Sequence, residues 1–138
     1  MLTANHDGER KDGILVGYKV AAGVLIYKGA LVCLNRAGYA VPATDDPGLK
    51  FVGIAYERGD NAAGYDGEVR TRVWKDGSFR VSMPGAKLAD LGKTVFIVDD
   101  NTVTAGDRPI PQHGIPAGTI VEIPAEGVVR VLIRNAVR

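Results

Sequence analysis

The chain predicts an all-β fold: a single-domain β-sandwich, jelly-roll-like, or a partly closed β-barrel, with one short helix. Three observations carry this. Short runs alternate apolar and polar residues with the period of two expected of strands. Glycine is abundant at 18 of 138 residues, well above the roughly 7% of average usage, and it is spread along the chain as turns between short strands require. Only residues 86–91 read as a helix, about a turn and a half, with Gly92 placed to end it.

Residues 1–13, MLTANHDGERKDG, form a polar N-terminal arm with almost nothing to bury. The β domain spans 14–138. It begins with the apolar runs 14–20, 24–27 and 30–34, cut by Ala22-Gly23 and Lys28-Gly29. Arg36-Ala37-Gly38 is a turn before the run 39–41. A polar loop, PATDDPG, precedes the long strand candidate 49–57, and a second polar loop covers 58–66.

The most informative stretch is 67–84, GEVRTRVWKDGSFRVSMP. Val69, Thr71 and Val73 alternate with Glu68, Arg70, Arg72 and Trp74. Phe79, Val81 and Met83 alternate with Ser78, Arg80 and Ser82. Lys75-Asp76-Gly77 joins them, glycine accepting the positive φ of a tight turn, so the stretch reads as a hairpin closed by Pro84-Gly85. Beyond the helix come strand candidates 94–98 and 102–104 around the Asp99-Asp100-Asn101 turn. An irregular loop follows over 105–118, and then the runs 119–124 and 128–133 around Ala125-Glu126-Gly127. About ten short strands with turn signals at the spacing of sandwiches and barrels result. The sequence shows no internal repeat and no domain boundary.

Composition narrows the function classes. A formal net charge of +1 gives no bulk electrostatic case for nucleic acid or an anionic membrane. No apolar run approaches the roughly 20 residues of a membrane span, and the N-terminus lacks the apolar core of a signal peptide. The expectation is a soluble protein made in a cytoplasm. The single cysteine, Cys33, sits in an apolar run and reads as a small buried hydrophobe.

No catalytic, cofactor or metal signature emerges. The segment 85–94, GAKLADLGKT, resembles a phosphate-binding loop, yet six residues separate its glycines where such a loop has four. His6 and His113 stand far apart and lack partners at zinc spacing. Ser78 and Ser82, the two serines, have no nucleophile-elbow context. The Asp45-Asp46 and Asp99-Asp100 pairs read as turn residues. The arginines offer a different chemistry. Arg70 and Arg72 share one face, as do Arg130 and Arg134, and aligned guanidinium groups can meet an acidic protein patch.

The stretches FVGIAYERGDNAAG, EVRTRVWKDGSFRV, LGKTVFIVDDNTVT and GTIVEIPAEGVVRVLI, in that order over residues 49–133, resemble the capsid cement, or head decoration, proteins of tailed phages. The resemblance implies a non-enzymatic virion structural protein, made in a bacterial host's cytoplasm and carried on the capsid surface. It would bind the major capsid protein and bridge neighbouring subunits, with no cofactor, nucleic-acid or membrane partner. A homo-oligomer, dimer or trimer, is also expected, because exposed edge strands gain from being covered. Candidate capsid or subunit contacts are Glu9, Arg10, Lys11, Arg70, Arg72, Arg130 and Arg134. The competing reading is a carbohydrate- or tail-associated β binding module using Tyr39, Tyr56, Tyr65 and Trp74 as a stacking platform.

Overall fold

The alternating runs become twelve strands in a computed structural model that describes residues 1, 3–4, 14–108 and 111–133. In chain order they are β1 (Leu15–Lys19), β2 (Val24–Ile26), β3 (Leu31–Leu34), β4 (Ala40–Pro42), β5 (Lys50–Ala55), β6 (Gly59–Asn61), β7 (Arg70–Trp74), β8 (Ser78–Ser82), β9 (Thr94–Ile97), β10 (Val103–Ala105), β11 (Pro116–Ala125) and β12 (Val128–Leu132). Two five-stranded antiparallel sheets, β1-β7-β5-β3-β4 and β8-β12-β11-β9-β10, stack as a sandwich, and β2-β6 forms a separate ribbon. Each large sheet also curls. Val20 bridges Ala40, and Ser82 bridges Thr102, so the edge strands touch at one point without closing a barrel.

The run 67–84 is not a hairpin. Its two strands are β7 and β8, but β7 pairs with β1 and β5 while β8 pairs with β12. Lys75–Gly77 is the corner at which the chain leaves one sheet for the other. Alternation fixes the two faces of a strand without naming its neighbour, and here both strands have longer ladders elsewhere. Each ladder continues into the corner: the Lys75 N–H donates to the Ile14 carbonyl, and the Ile133 N–H to the Gly77 carbonyl. The predicted helix shortens to one 3-10 turn, Leu88–Asp90. The loop at 58–66 contains a strand the sequence conceals, β6, whose residues Gly-Asp-Asn carry no apolar signal. Its Asn61 side chain instead donates to the carbonyls of Val20, Ala21 and Tyr65.

The two large sheets repeat one topology, which corrects the sequence reading of no internal repeat. Each uses one contiguous half of the chain, and in each the spatial order is first, fifth, fourth, second, third. The registers agree pair by pair. Leu15↔Trp74 matches Ser78↔Leu132, and Cys33↔Val41 matches Phe96↔Thr104. Val32↔Gly53 matches Val95↔Gly118. Aligned without a gap, residues 15–43 and 78–106 share only Leu25 with Leu88, Gly29 with Gly92 and Val32 with Val95. A strand face accepts many apolar residues, so the geometry recurs while the letters do not.

Both halves bend their fourth strand at a bulge. In β5, Cys33 pairs with Phe51 and Val32 with Gly53, which leaves Val52 unpaired. Ala117 is skipped in the same way between Pro116 and Gly118. The extra residue resets the alternation, so Phe51 and Ile54 both reach the core shared by the sheets while Val52 and Ala55 enter the core under the ribbon. Gly53 and Gly118 hold φ of 144° and 147°, and a Cβ there would lie 2.0 Å from the Trp74 carbonyl oxygen and 2.4 Å from that of Leu132. Only glycine fits either position.

The halves stack front to back. The face of the second sheet that carries Val95, Ile97, Val103, Ile120 and Val131 packs on Leu31, Cys33, Phe51 and Ile54 of the first. The matching face of the first sheet, with Val32, Leu34, Ala40, Ala55 and Val73, is covered instead by the β2-β6 ribbon through Val24 and Ile26. The first sheet is therefore buried on both sides, which explains the near-continuous apolar run of β5. The outer face of the second sheet meets water, and there Thr94, Thr104 and Thr119 replace Leu31, Val41 and Ile54. Terminal units of stacked repeats turn a polar face outward in this way.

Candidate functional site

Beside the junction of the two large sheets lies a solvent-open groove of about 620 Å³. Lys28, Gly29, Ile54, Ala55, Tyr56, Glu57, Arg58, Trp74 and Phe79 line it. It is a junction feature. Tyr56 and Glu57 follow β5 and Trp74 ends β7, whereas Phe79 belongs to β8 of the second half. Clefts between packed units are common positions for binding sites.

The apolar wall is formed by Tyr56 and Trp74, with ring centroids 5.2 Å apart and planes at 75°, edge to face. The Arg72 guanidinium lies 4.9 Å from the Tyr56 ring centroid and is fixed there by Glu57. Arg72 Nε and Nη2 donate to the two carboxylate oxygens at 2.9 Å each, and its backbone N–H donates to Glu57 Oε2 at 2.8 Å. Those hydrogen bonds hold the Glu57 carboxyl below its ordinary range. Arg58 stands 5.8 Å from the Tyr27 ring centroid and pairs with Asp60 at 3.5 Å. Lys28 and Arg70 are exposed and make no ion pair among the described residues.

The predicted site residues fall into three groups. Arg70 and Arg72 do share a face, with Trp74 next on the same side. Arg130 pairs with Glu122 at 3.1 Å and donates to the Ser78 carbonyl at 3.2 Å. Glu9, Arg10, Lys11 and Arg134 lie outside the described residues, as does His6. Arg72 and Arg130 prove to be equivalent positions of the two halves, as do their partners Glu57 and Glu122. Of the four aromatics offered as a platform, Tyr56 and Trp74 meet in the groove, whereas Tyr39 and Tyr65 are not among its lining residues. Lys28, Glu57 and Arg58 were missed, although Lys28 and Glu57 each adjoin a tyrosine in sequence.

Elsewhere the polar groups tie loops together. Asp45 accepts from the backbone N–H groups of Gln112 and His113, and the His113 ring nitrogen Nδ1 lies 3.2 Å from it. The buried Asp90 accepts from Lys93 and Arg108. Cys33 is fully buried, which pushes its thiol up to about 12. Among the described residues no cluster of three or more metal-ligating side chains occurs, and no helix is long and apolar enough to cross a membrane.

No protein-family model matches the chain, and no curated protein matches it. One solved structure is similar: the head fiber gp8.5 N base in bacteriophage phi29. The likeness covers 91% of this chain and 98% of that one, at 15% identity and a TM-score of 0.43. At that distance neither family nor role transfers.

Proposed function

We propose that the chain is a phage-head structural protein that seats on the outer surface of the assembled shell and ties neighbouring capsid subunits together. The observation that carries the reading is the resemblance to capsid cement proteins over residues 49–133. Its four stretches supply β5 with the groove wall, the β7-to-β8 corner, the β9-β10 pair and the β11-β12 pair. The basic and aromatic margin of the groove, with Lys28 and Arg58 beside Tyr56 and Trp74, suits a protein partner. Many modest contacts spread over a repetitive shell give retention through avidity that no single contact supplies.

The carbohydrate-platform alternative is less well supported. Stacking needs an open ring face, and Arg72 covers Tyr56 while the Trp74 ring meets Tyr56 edge-on. The self-association proposal stands beside the main reading, as dimer or trimer, and light scattering on the isolated protein tests it.

Mixed with expanded, undecorated heads of the phage that encodes it, the protein is expected to co-sediment and to raise their resistance to heat. Absence of binding at micromolar protein refutes the proposal. The fragment 14–138 is expected to melt within a few degrees of the full chain and to decorate poorly, because Glu9, Arg10 and Lys11 are proposed contacts rather than core. Decoration by the fragment equal to that by the full chain would remove the arm from the contact set.

A further inference from the structure

We propose that the groove at the junction of the two halves seats an extended acidic segment of a partner protein, with one large apolar side chain inserted between Trp74, Tyr56 and Phe79. The proposal deepens the shell-binding reading and rests on it for who supplies the segment, but not for the chemistry of the groove.

The repeat provides an internal control. Positions that serve the scaffold are retained in both halves: the Gly53 and Gly118 bulges, and the ion pairs Glu57–Arg72 and Glu122–Arg130. Positions at the groove are not retained. Lys28, Tyr56 and Trp74, which line it, correspond to Leu91, Val121 and Leu132 of the second half, and Arg70, at the far end of β7 from Trp74, corresponds to Val128. Both sets hold the same backbone, so the strand geometry does not require the aromatic and basic residues where they stand, although Trp74 also packs on the core between the sheets. They are features of this one surface.

Charge then selects the occupant. The side carries Lys28, Arg58, Arg70 and Arg72 against Glu57, Asp60 and Glu68, of which Glu57 and Asp60 are engaged with Arg72 and Arg58 and Glu68 accepts from the Tyr65 N–H. Lys28 and Arg70 remain for a partner's carboxylates, with Lys19 opposite Arg70 in register. Asp100 lines the adjoining recess with Lys28 rather than the groove itself. A cationic rim around an apolar slot favours carboxylates flanking an apolar anchor. Nucleic acid fits less well, since base stacking wants free ring faces and Tyr56 and Tyr27 are occupied by Arg72 and Arg58.

The test uses the full chain and no shell. The probe is a synthetic peptide of about ten residues, Glu- and Asp-rich around one phenylalanine, titrated against the fluorescence of Trp74, the only tryptophan. The expected result is a saturable change that weakens severalfold from low salt to about 0.5 M. It should be lost by about tenfold or more in Lys28→Glu/Arg70→Glu and unaltered in Arg80→Glu on the second sheet. Both basic-residue changes are at exposed positions, so folding is retained, and circular dichroism verifies it. No saturable change overturns the proposal, as does equal binding of a lysine-rich peptide, tighter binding of an oligothymidylate, or an unaffected double variant. Heads separate the two readings. A double variant that loses the peptide yet decorates heads normally overturns the groove as the shell seat and leaves shell binding intact. A wild-type chain that binds the peptide but not heads overturns shell binding and leaves the groove.

Discussion

Replacing Gly53 by alanine tests the bulge that sends Phe51 and Ile54 to the same core. Two costs can be worked from the structure. A φ of 144° is essentially restricted to glycine, and forcing an L-residue there costs about 1–3 kcal/mol. The new Cβ would also lie 2.0 Å from the Trp74 carbonyl oxygen and 2.6 Å from Val73 Cγ1. Relieving that contact means separating β5 from β7, and overpacking of this kind costs about 1–3 kcal/mol more. The sum is about 2–6 kcal/mol. For a chain of this length, 3 kcal/mol lowers the melting temperature by roughly 10 °C. Gly118→Ala meets the Leu132 carbonyl oxygen at 2.4 Å with φ 147° and should fall by a similar amount. Gly17→Ala, with open space around it, should stay within about 1 kcal/mol of the parent. Thermal melts by circular dichroism, backed by urea titration, give the three values. A Gly53→Ala protein melting within about 2 °C of the parent would refute the bulge argument. A large Gly53 effect beside a negligible one at Gly118 would refute the equivalence of the halves.

Further outcomes follow from the buried polar groups. Lys75 is depressed to about 8 by burial, with Lys50 adding to it. The unfolded chain therefore holds more protons from about pH 8 until its Cys33, whose folded thiol is held near 12, ionises near 9 and opposes the effect, and stability should rise across that window. Melts from pH 7 to 9 should show the rise, and Lys75→Met should flatten it. The hydrogen bonds from Arg108, Lys87 and Lys93 hold the Asp90 carboxyl far below its ordinary range, so its contribution is complete above about pH 4 and is lost as the pH falls further. Asp90→Asn should accordingly lower the melting temperature at pH 7 more than Asp99→Asn does, and the gap should narrow in acid. Cys33, fully buried with its thiol near 12, should resist alkylation by iodoacetamide until denaturant is added; modification of the native protein on the timescale of an exposed thiol would contradict its placement.

The sequence made the strands legible because each is two-faced: β1, β7, β8 and β12 alternate, and β5 runs apolar because both its sides are covered. Partners were less legible. The Trp74-to-Phe79 passage has every local feature of a hairpin, yet the ladders to β1 and β12, set by residues some 50 positions away in sequence, decide its neighbours. β6 was hidden because Gly59, Asp60 and Asn61 are held by backbone pairing and an amide side chain rather than by burial of apolar surface. The repeat was hidden because turning Leu31, Val41 and Ile54 into Thr94, Thr104 and Thr119 keeps β-branched or similarly sized residues in place while reversing their hydropathy. At the candidate site, Arg70, Arg72, Tyr56 and Trp74 could be singled out as residue types. That Arg72 is bound to Glu57, fifteen residues earlier and across the end of β5, was not legible because the pairing depends on which strands meet.

The most direct measurement is electron cryo-microscopy of heads assembled with and without the protein. The expected result is difference density on the outer face of the shell, touching more than one capsid subunit, with the Trp74–Tyr56 groove of the first sheet turned toward an acidic capsid segment. Density confined to the tail, or absent from heads saturated with protein, would contradict the shell-binding function itself.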